Sequence, residues 1–172
     1  YNAICFHTPH TEKGGFFRDH SLTEIEQHLE TLRQFKFFQD EWQYFLEWFK
    51  TLPLYFENDD FRMVHACWDQ KHIDWIENNP PVINDQFLSA AADKNHPTYA
   101  IIEETLKGKE SDLPNGQSFT DKDGHVRTKS RVMWWTPLNQ RETYNDVFMG
   151  CPDALTKTSI PTNENYYSYT DT

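Results

Sequence analysis

Residues 61–76, FRMVHACWDQKHIDWI, carry most of the side chains in this chain that can do chemistry. His65 stands at the end of the apolar run RMVHA, just before a helix-like stretch. The end of a strand that feeds a helix is where α/β folds place ligands. A neutral imidazole at such a point suits a transition metal. A lone histidine is more often a core or surface residue, so that reading stands beside the first. Asp69 has the chemistry of a helix cap. His72 lies in the following helix and is expected to face solvent. Cys67 sits within the apolar run, where a thiol is inert packing. The other histidines, 7, 10, 20, 28, 96 and 125, form no recognisable ligand cluster. The chain has no glycine-rich phosphate loop, no GxSxG elbow and no HExxH pair.

Several elements must position these residues. LPLYFENDDFRMVHACW reads as a hairpin with strands at about 54–57 and 61–67, turned by Asn58, Asp59 and Asp60. A helix capped by Asp69 then runs to near Pro80. Upstream, NAICF is a strand or a helix end. SLTE at 21–24 is a capping box that opens a helix with Ile25, Leu29 and Leu32 on one face. A second helix over 39–51 sets Trp42, Phe45, Leu46 and Phe49 on one side and stops at Pro53. Further helices are predicted at 84–93 and 97–107, the latter ended by Gly108. The alternation around KDGH predicts another hairpin, 117–121 with 125–135. From about 137 the chain has no period and reads as loop. The fold class is mixed, α+β or α/β.

The chain has 172 residues, about the size of one domain. Aromatics make up 16% of it, enough to build a core, so wholesale disorder is unexpected. The net charge is -11 and no Lys or Arg run forms a basic stripe, which makes a nucleic acid polymer a poor partner. A small phosphate ester stays compatible with that charge if metal ions supply the positive field. Cys5, Cys67 and Cys151 form neither a disulfide framework nor a CxxC pair, which suits a reducing cytoplasm. No apolar run approaches the roughly 18 residues of a membrane span, and none reads as a signal peptide. The chain opens on Tyr1 rather than Met, so a piece of a longer protein is expected.

LPLYFENDDFRMVHACWD closely resembles a block of the bacterial calcineurin-like metallophosphoesterases, near the diadenosine-tetraphosphatase and serine/threonine-phosphatase-like members. In that family a hairpin delivers a metal-binding histidine in a VHA or VHG setting. NAICFHTP resembles the stretch that follows the family's GNHE motif. LKGKESDLPNGQSFTDKDGHVRTKSRVMWW resembles an insertion of its larger members. The resemblance spans nearly the whole chain and implies that 1–172 is one domain, or the central part of one. It implies part of a four-layer α/β/β/α sandwich with an added helical segment and a hairpin insertion, 108–136, as a cap.

The same resemblance implies two-metal hydrolysis of a phosphate ester, with manganese, iron or zinc as the divalent pair. His65 would be a ligand of one ion. The family's DxH, GDxxDR and GNHE motifs would precede Tyr1 and its GHxH-like motif would follow Thr172, so no catalytic residue is assigned in this chain. Arg131, in RVMWW, is a candidate for pairing with a phosphate, with a structural salt bridge as the alternative. Trp68 is a candidate for stacking on a base or sugar, with core packing as the alternative. The substrate class is a small phosphate ester, a nucleotide or a phosphoprotein, and the oligomeric state is left open. A non-enzymatic helical and β interaction module is the competing reading, which a large exposed apolar patch would favour.

Overall fold

Ser21 accepts a hydrogen bond from the Glu24 amide at 3.3 Å, and this cap opens a helix where the sequence predicts one. The structure, a computed structural model, describes residues 1–11, 13–122 and 124–169. Six helices are described: α1 (Asn2–His7), α2 (Leu22–Gln34), α3 (Gln39–Lys50), α4 (Gln70–Asn78), α5 (Asp85–Ala92) and α6 (Pro97–Lys107). Six short strands join them: β1 (Tyr55–Glu57), β2 (Arg62–Val64), β3 (Glu110–Asp112), β4 (Phe119–Thr120), β5 (Val126–Arg127) and β6 (Lys129–Arg131). About 41% of the chain is helical and 13% is strand, a mixed α and β composition.

The chain divides into two compact units. The first comprises Tyr1–Leu54 and Asn78–Ile102, the second Tyr55–Glu77 and Glu103–Thr172. In the first unit NAICF resolves as helix, not strand. Its Ile4 and Cys5 pack with Phe17 and Leu88, against Tyr1, Phe49, Ile83 and Phe87. The Tyr1 hydroxyl donates to the Ala91 carbonyl at 2.7 Å, tying α1 to the end of α5. The Asn84 side chain caps α5 by accepting from the Phe87 amide at 3.0 Å. α3 buries Trp42 and Leu46, as its period predicts. α2 buries none of its residues, and the face carrying Leu29 and Leu32 stays open. Periodicity shows that a face is apolar, but not that something covers it.

The second unit holds all the strands, as three separate antiparallel pairs. β1 pairs with β2 in the register Tyr55 to Val64, and Asn58 closes the turn by accepting from the Asp60 and Phe61 amides. The hairpin lies where the sequence places it, but β2 ends at Val64, three residues short of the predicted strand. The predicted hairpin 117–121 with 125–135 is corrected more substantially. Only β4 and β5 form it, whereas 129–131 pairs with β3, Ser111 opposite Ser130. Asp123, in the predicted turn, lies outside the described residues.

The core beneath these strands is Leu113, Val132, Tyr144, Val147, Phe148 and Leu155, with Phe119, Cys151, Ile160 and Tyr166 packed around it. Gly150 touches this core edge-on. A Cβ built there would overlap the Phe119 ring, and even the farther Cε1 would be only 3.0 Å away. Gly150→Ala is therefore expected to cost about 1–3 kcal/mol through displacement of Phe119. Chemical denaturation checks this; a cost below 0.5 kcal/mol, on the order of a neutral surface change, counts against it.

Candidate functional site

The segment that follows β2 has no regular structure of its own, yet it is held by four separate parts of the second unit, three of them through its peptide groups. The Ala66 and Cys67 amides both donate to the Thr105 carbonyl, at 3.1 and 3.3 Å, on the last turn of α6. The Trp134 indole N–H donates to the Ala66 carbonyl at 2.7 Å. The Tyr167 hydroxyl donates to the Trp68 carbonyl at 2.9 Å. Lys109 Nζ lies 2.7 Å from an Asp69 carboxylate oxygen. Asp69 also begins α4 as predicted, its Oδ1 accepting from the Lys71 amide at 2.9 Å.

His65 stands at the start of this pinned stretch. The predicted buried strand end is corrected: His65 is exposed, in a bend just past β2, and Met63 beside it is 58% exposed. Its imidazole makes no hydrogen bond or ion pair with the described residues. Trp68 is 5% exposed, with the Tyr55 ring edge-on at 5.7 Å and the Arg62 guanidinium carbon 5.2 Å from the indole centre. The structure thus gives Trp68 the packing role, with its ring covered on the sides a base would need. Arg131 is exposed at the end of β6, and among the described residues it has neither the phosphate-like partner nor the salt bridge that the sequence allowed. Its methylenes pass close to Gly108, which has φ +94°; a Cβ built on Gly108 would lie 3.6 Å from Arg131 Cδ and 3.8 Å from Ala66 Cβ. Arg131 therefore shares the surface beside the His65 loop.

Beneath that loop lies a charged network that the sequence reading missed. Lys109 Nζ bridges Asp69 at 2.7 Å and Glu104 at 2.9 Å, and sits 4.4 Å from the Tyr167 ring centre. His72, expected in solvent, is turned inward, with Nε2 3.7 Å from Glu104 and Nδ1 buried without a partner. Burial pushes the Asp69 carboxyl up, but the hydrogen bond and charge of Lys109 more than offset this and hold it below the usual carboxylate range. Burial likewise opposes the Lys109 charge, and its two carboxylate partners outweigh it and raise the ammonium. For His72, burial wins over both carboxylates and lowers the imidazole. Cys67, fully buried beside this network, has its thiol pushed up to about 12, which makes it inert as the sequence predicts.

Asp69, His72 and Glu104 each offer one ligand atom, all within 4.8 Å of one another, the one such group among the described residues. They do not fit a metal ion. The Lys109 ammonium already stands between the two carboxylates at hydrogen-bond distance, and it neutralises the charge that a divalent ion would need. His65 belongs to no such group. The loop after β2 thus supplies one exposed imidazole on a fixed backbone, and the described residues around it supply no complete set for the two ions that the resemblance implies. Little in the sequence marks Lys109, Trp134 or Tyr167 as partners of 66–69, because each meets that segment through tertiary contact. The three cysteines are free thiols, as predicted. No described helix is long and apolar enough to cross a membrane. Comparison with known proteins finds no matching family model, no matching curated protein and no matching solved structure.

Proposed function

We propose that this chain is a segment of a metal-dependent phosphoesterase of the calcineurin-like kind, part of its layered sandwich, and that it contributes His65 as a single metal ligand. One observation carries the reading: the backbone after His65 is anchored by α6, Trp134 and Tyr167, and the Asp69 side chain by Lys109, while the His65 ring itself stays exposed and unpartnered. A ligand side chain on a backbone fixed by its surroundings is what a preorganised site requires. The remaining ligands belong to residues outside this sequence. Manganese, iron or zinc would supply the positive charge and the activated water, and this chain's own part is to hold the imidazole. Arg131, beside the same loop, is suited to orienting an anionic substrate, either a small phosphate ester or a phosphoprotein.

The test uses the longer protein that contains this segment, with metal content and aryl-phosphate hydrolysis measured together. His65→Ala is expected to lose bound metal and hydrolysis in parallel while the second unit stays folded. Undiminished metal content and turnover in that variant would overturn the assignment.

A second reading rests on a separate observation. In the first unit Phe37 is 82% exposed and Tyr44 68%, and Phe38 and Trp48 are open as well. So much uncovered aromatic surface over a dozen residues is the mark of an interaction module. A longer protein that holds no metal and hydrolyses no phosphate ester would favour it.

A further inference from the structure

In the first unit three histidines surround one aromatic ring. Phe6, on α1, lies between His20 at 4.1 Å and His28 at 4.2 Å between centroids, both stacked. Phe16 stacks on His20 in turn, at 4.0 Å. His7 meets the group edge-on, 5.0 Å from Phe6, 5.8 Å from His28 and 5.0 Å from Trp42 of α3. The stack thus joins α1 to α2 through His28, and to α3 through His7 and Trp42. We infer that His7 and His28, packed with His20 around Phe6, form an acid-sensitive latch, which holds α1 to α2 and α3 while these two imidazoles are neutral and loosens when they are protonated.

The geometry explains the sensitivity. His7 Nε2 and Trp42 Nε1 are both buried with no partner, so a charged His7 would carry an N–H with nothing to accept it. His20 Nε2 lies 2.7 Å from the Phe6 carbonyl, so that nitrogen donates and ties the ring to α1. A first proton on a ring stacked over Phe6 is tolerated as a cation–π pair. A second, on His7, meets the like charge of His28 with the ring centres 5.8 Å apart. The charged groups that face the cluster are few. The loop before α2 contributes Arg18 and His20, and α2 contributes Glu24 and His28. Glu24 favours a charge on His28, but it is already engaged by the Arg18 guanidinium, which opposes one. α3 presents the neutral Trp42 ring.

Burial, followed by the neighbouring His28 and His20, holds His7 down at about 4 against an ordinary 6.5. Burial also lowers His28. A lowered folded value means that the unfolded state binds more protons between the two. The stabilisation is therefore present above pH 6.5 and is lost as the pH falls toward 4, by up to about tenfold in the folded ratio per pH unit for each proton taken up.

The test is a titration of the 172-residue chain from pH 8 to 3.5, following the histidine Cε1–H and α1 amide resonances by NMR. His7 is expected to titrate at least one pH unit below a histidine model peptide, with the amides of Cys5–His7 losing protection from hydrogen exchange over the same range. His7→Phe keeps the ring and removes the proton site, so its loss of protection should move to lower pH. His7 titrating at the model-peptide value, or α1 amides still protected at pH 4, would overturn the latch; the wild-type titration decides this even if the variant does not fold.

Discussion

Lys109→Met is expected to destabilise the second unit by about 3 kcal/mol, the low end of what breaking a buried ion pair costs. The methionine keeps the methylene stem but removes the ammonium that bridges Asp69 and Glu104. Glu104 is a third exposed on its side chain and can turn to water, whereas Asp69 is 5% exposed and cannot. The cost is thus mainly that of one uncompensated buried carboxylate. Adding Asp69→Asn to Lys109→Met should restore more than about 1 kcal/mol, because the amide keeps the Lys71 cap without the charge. Urea unfolding of the two variants measures both numbers. A double variant no more stable than the single would show that the carboxylate is not the source of the loss.

The same pair has a signature in pH. In the wild type the Asp69 carboxyl is held below its ordinary 3.8, so its contribution is present above that value and lost as the pH falls through the folded one. Without Lys109 only burial acts strongly, and burial raises the carboxyl. The variant then gains stability by taking up a proton while the wild type loses it. The deficit of Lys109→Met should therefore begin to narrow above pH 3.8, as the variant takes up its proton, and narrow further below 3.8, as the wild type loses its contribution.

Arg141→Ala is expected to cost about 3 kcal/mol and to release the end of the chain, since hydrogen bonds from a charged donor are worth about 1.5–3 kcal/mol each and do not add fully. The guanidinium donates to the Tyr166 carbonyl at 2.6 Å, the Tyr167 carbonyl at 2.9 Å and the Met133 carbonyl at 3.0 Å. Those bonds lay residues 166–169 against the segment after β6. Along it the Ser168 hydroxyl donates to the Thr136 carbonyl at 3.0 Å, and the Tyr169 amide to the Trp134 carbonyl at 3.0 Å. Tyr167 reaches on to the Trp68 carbonyl, so the strap also bears on the His65 loop. Limited chymotryptic cleavage should open at Tyr166, Tyr167 and Tyr169 in the variant, ahead of global unfolding. Arg141→Lys keeps the charge but loses the fork and should recover less than half of the loss. A tail as resistant to cleavage in Arg141→Ala as in the wild type would count against this account.

The helices show what local chemistry can decide alone. The cap at Ser21, the stop before Pro53 and Gly108 after Lys107 are signals read within one or two turns; α2 opens at its predicted cap, and α3, α5 and α6 lie within a residue or two of their predicted spans. The Asn58 turn is local in the same sense, and the β1–β2 hairpin follows from it. β3 is different. Its partner β6 lies across the whole β4–β5 hairpin, and no propensity at 110–112 states which of several short runs it will pair with. The alternation at 125–135 looked like one strand because period 2 cannot show where a chain changes partner.

The candidate site divides along the same line. His65 at the end of RMVHA was legible as an imidazole at a strand end, and Asp69 as a cap, because both depend on neighbours in sequence. Its exposure, the turning inward of His72, the covering of Trp68 and the ammonium of Lys109 between two carboxylates were settled by packing. The pairs of His72 with Glu104 and of Lys109 with Asp69 each join groups tens of residues apart. The same holds for the three imidazoles around Phe6, scattered in sequence as His7, His20 and His28 and assembled where α1 meets α2. Short-range hydrogen bonding and side-chain period determined which segments are helix and turn. Desolvation and charge pairing act only once distant segments meet, so tertiary structure alone decided which polar groups are buried and what they face.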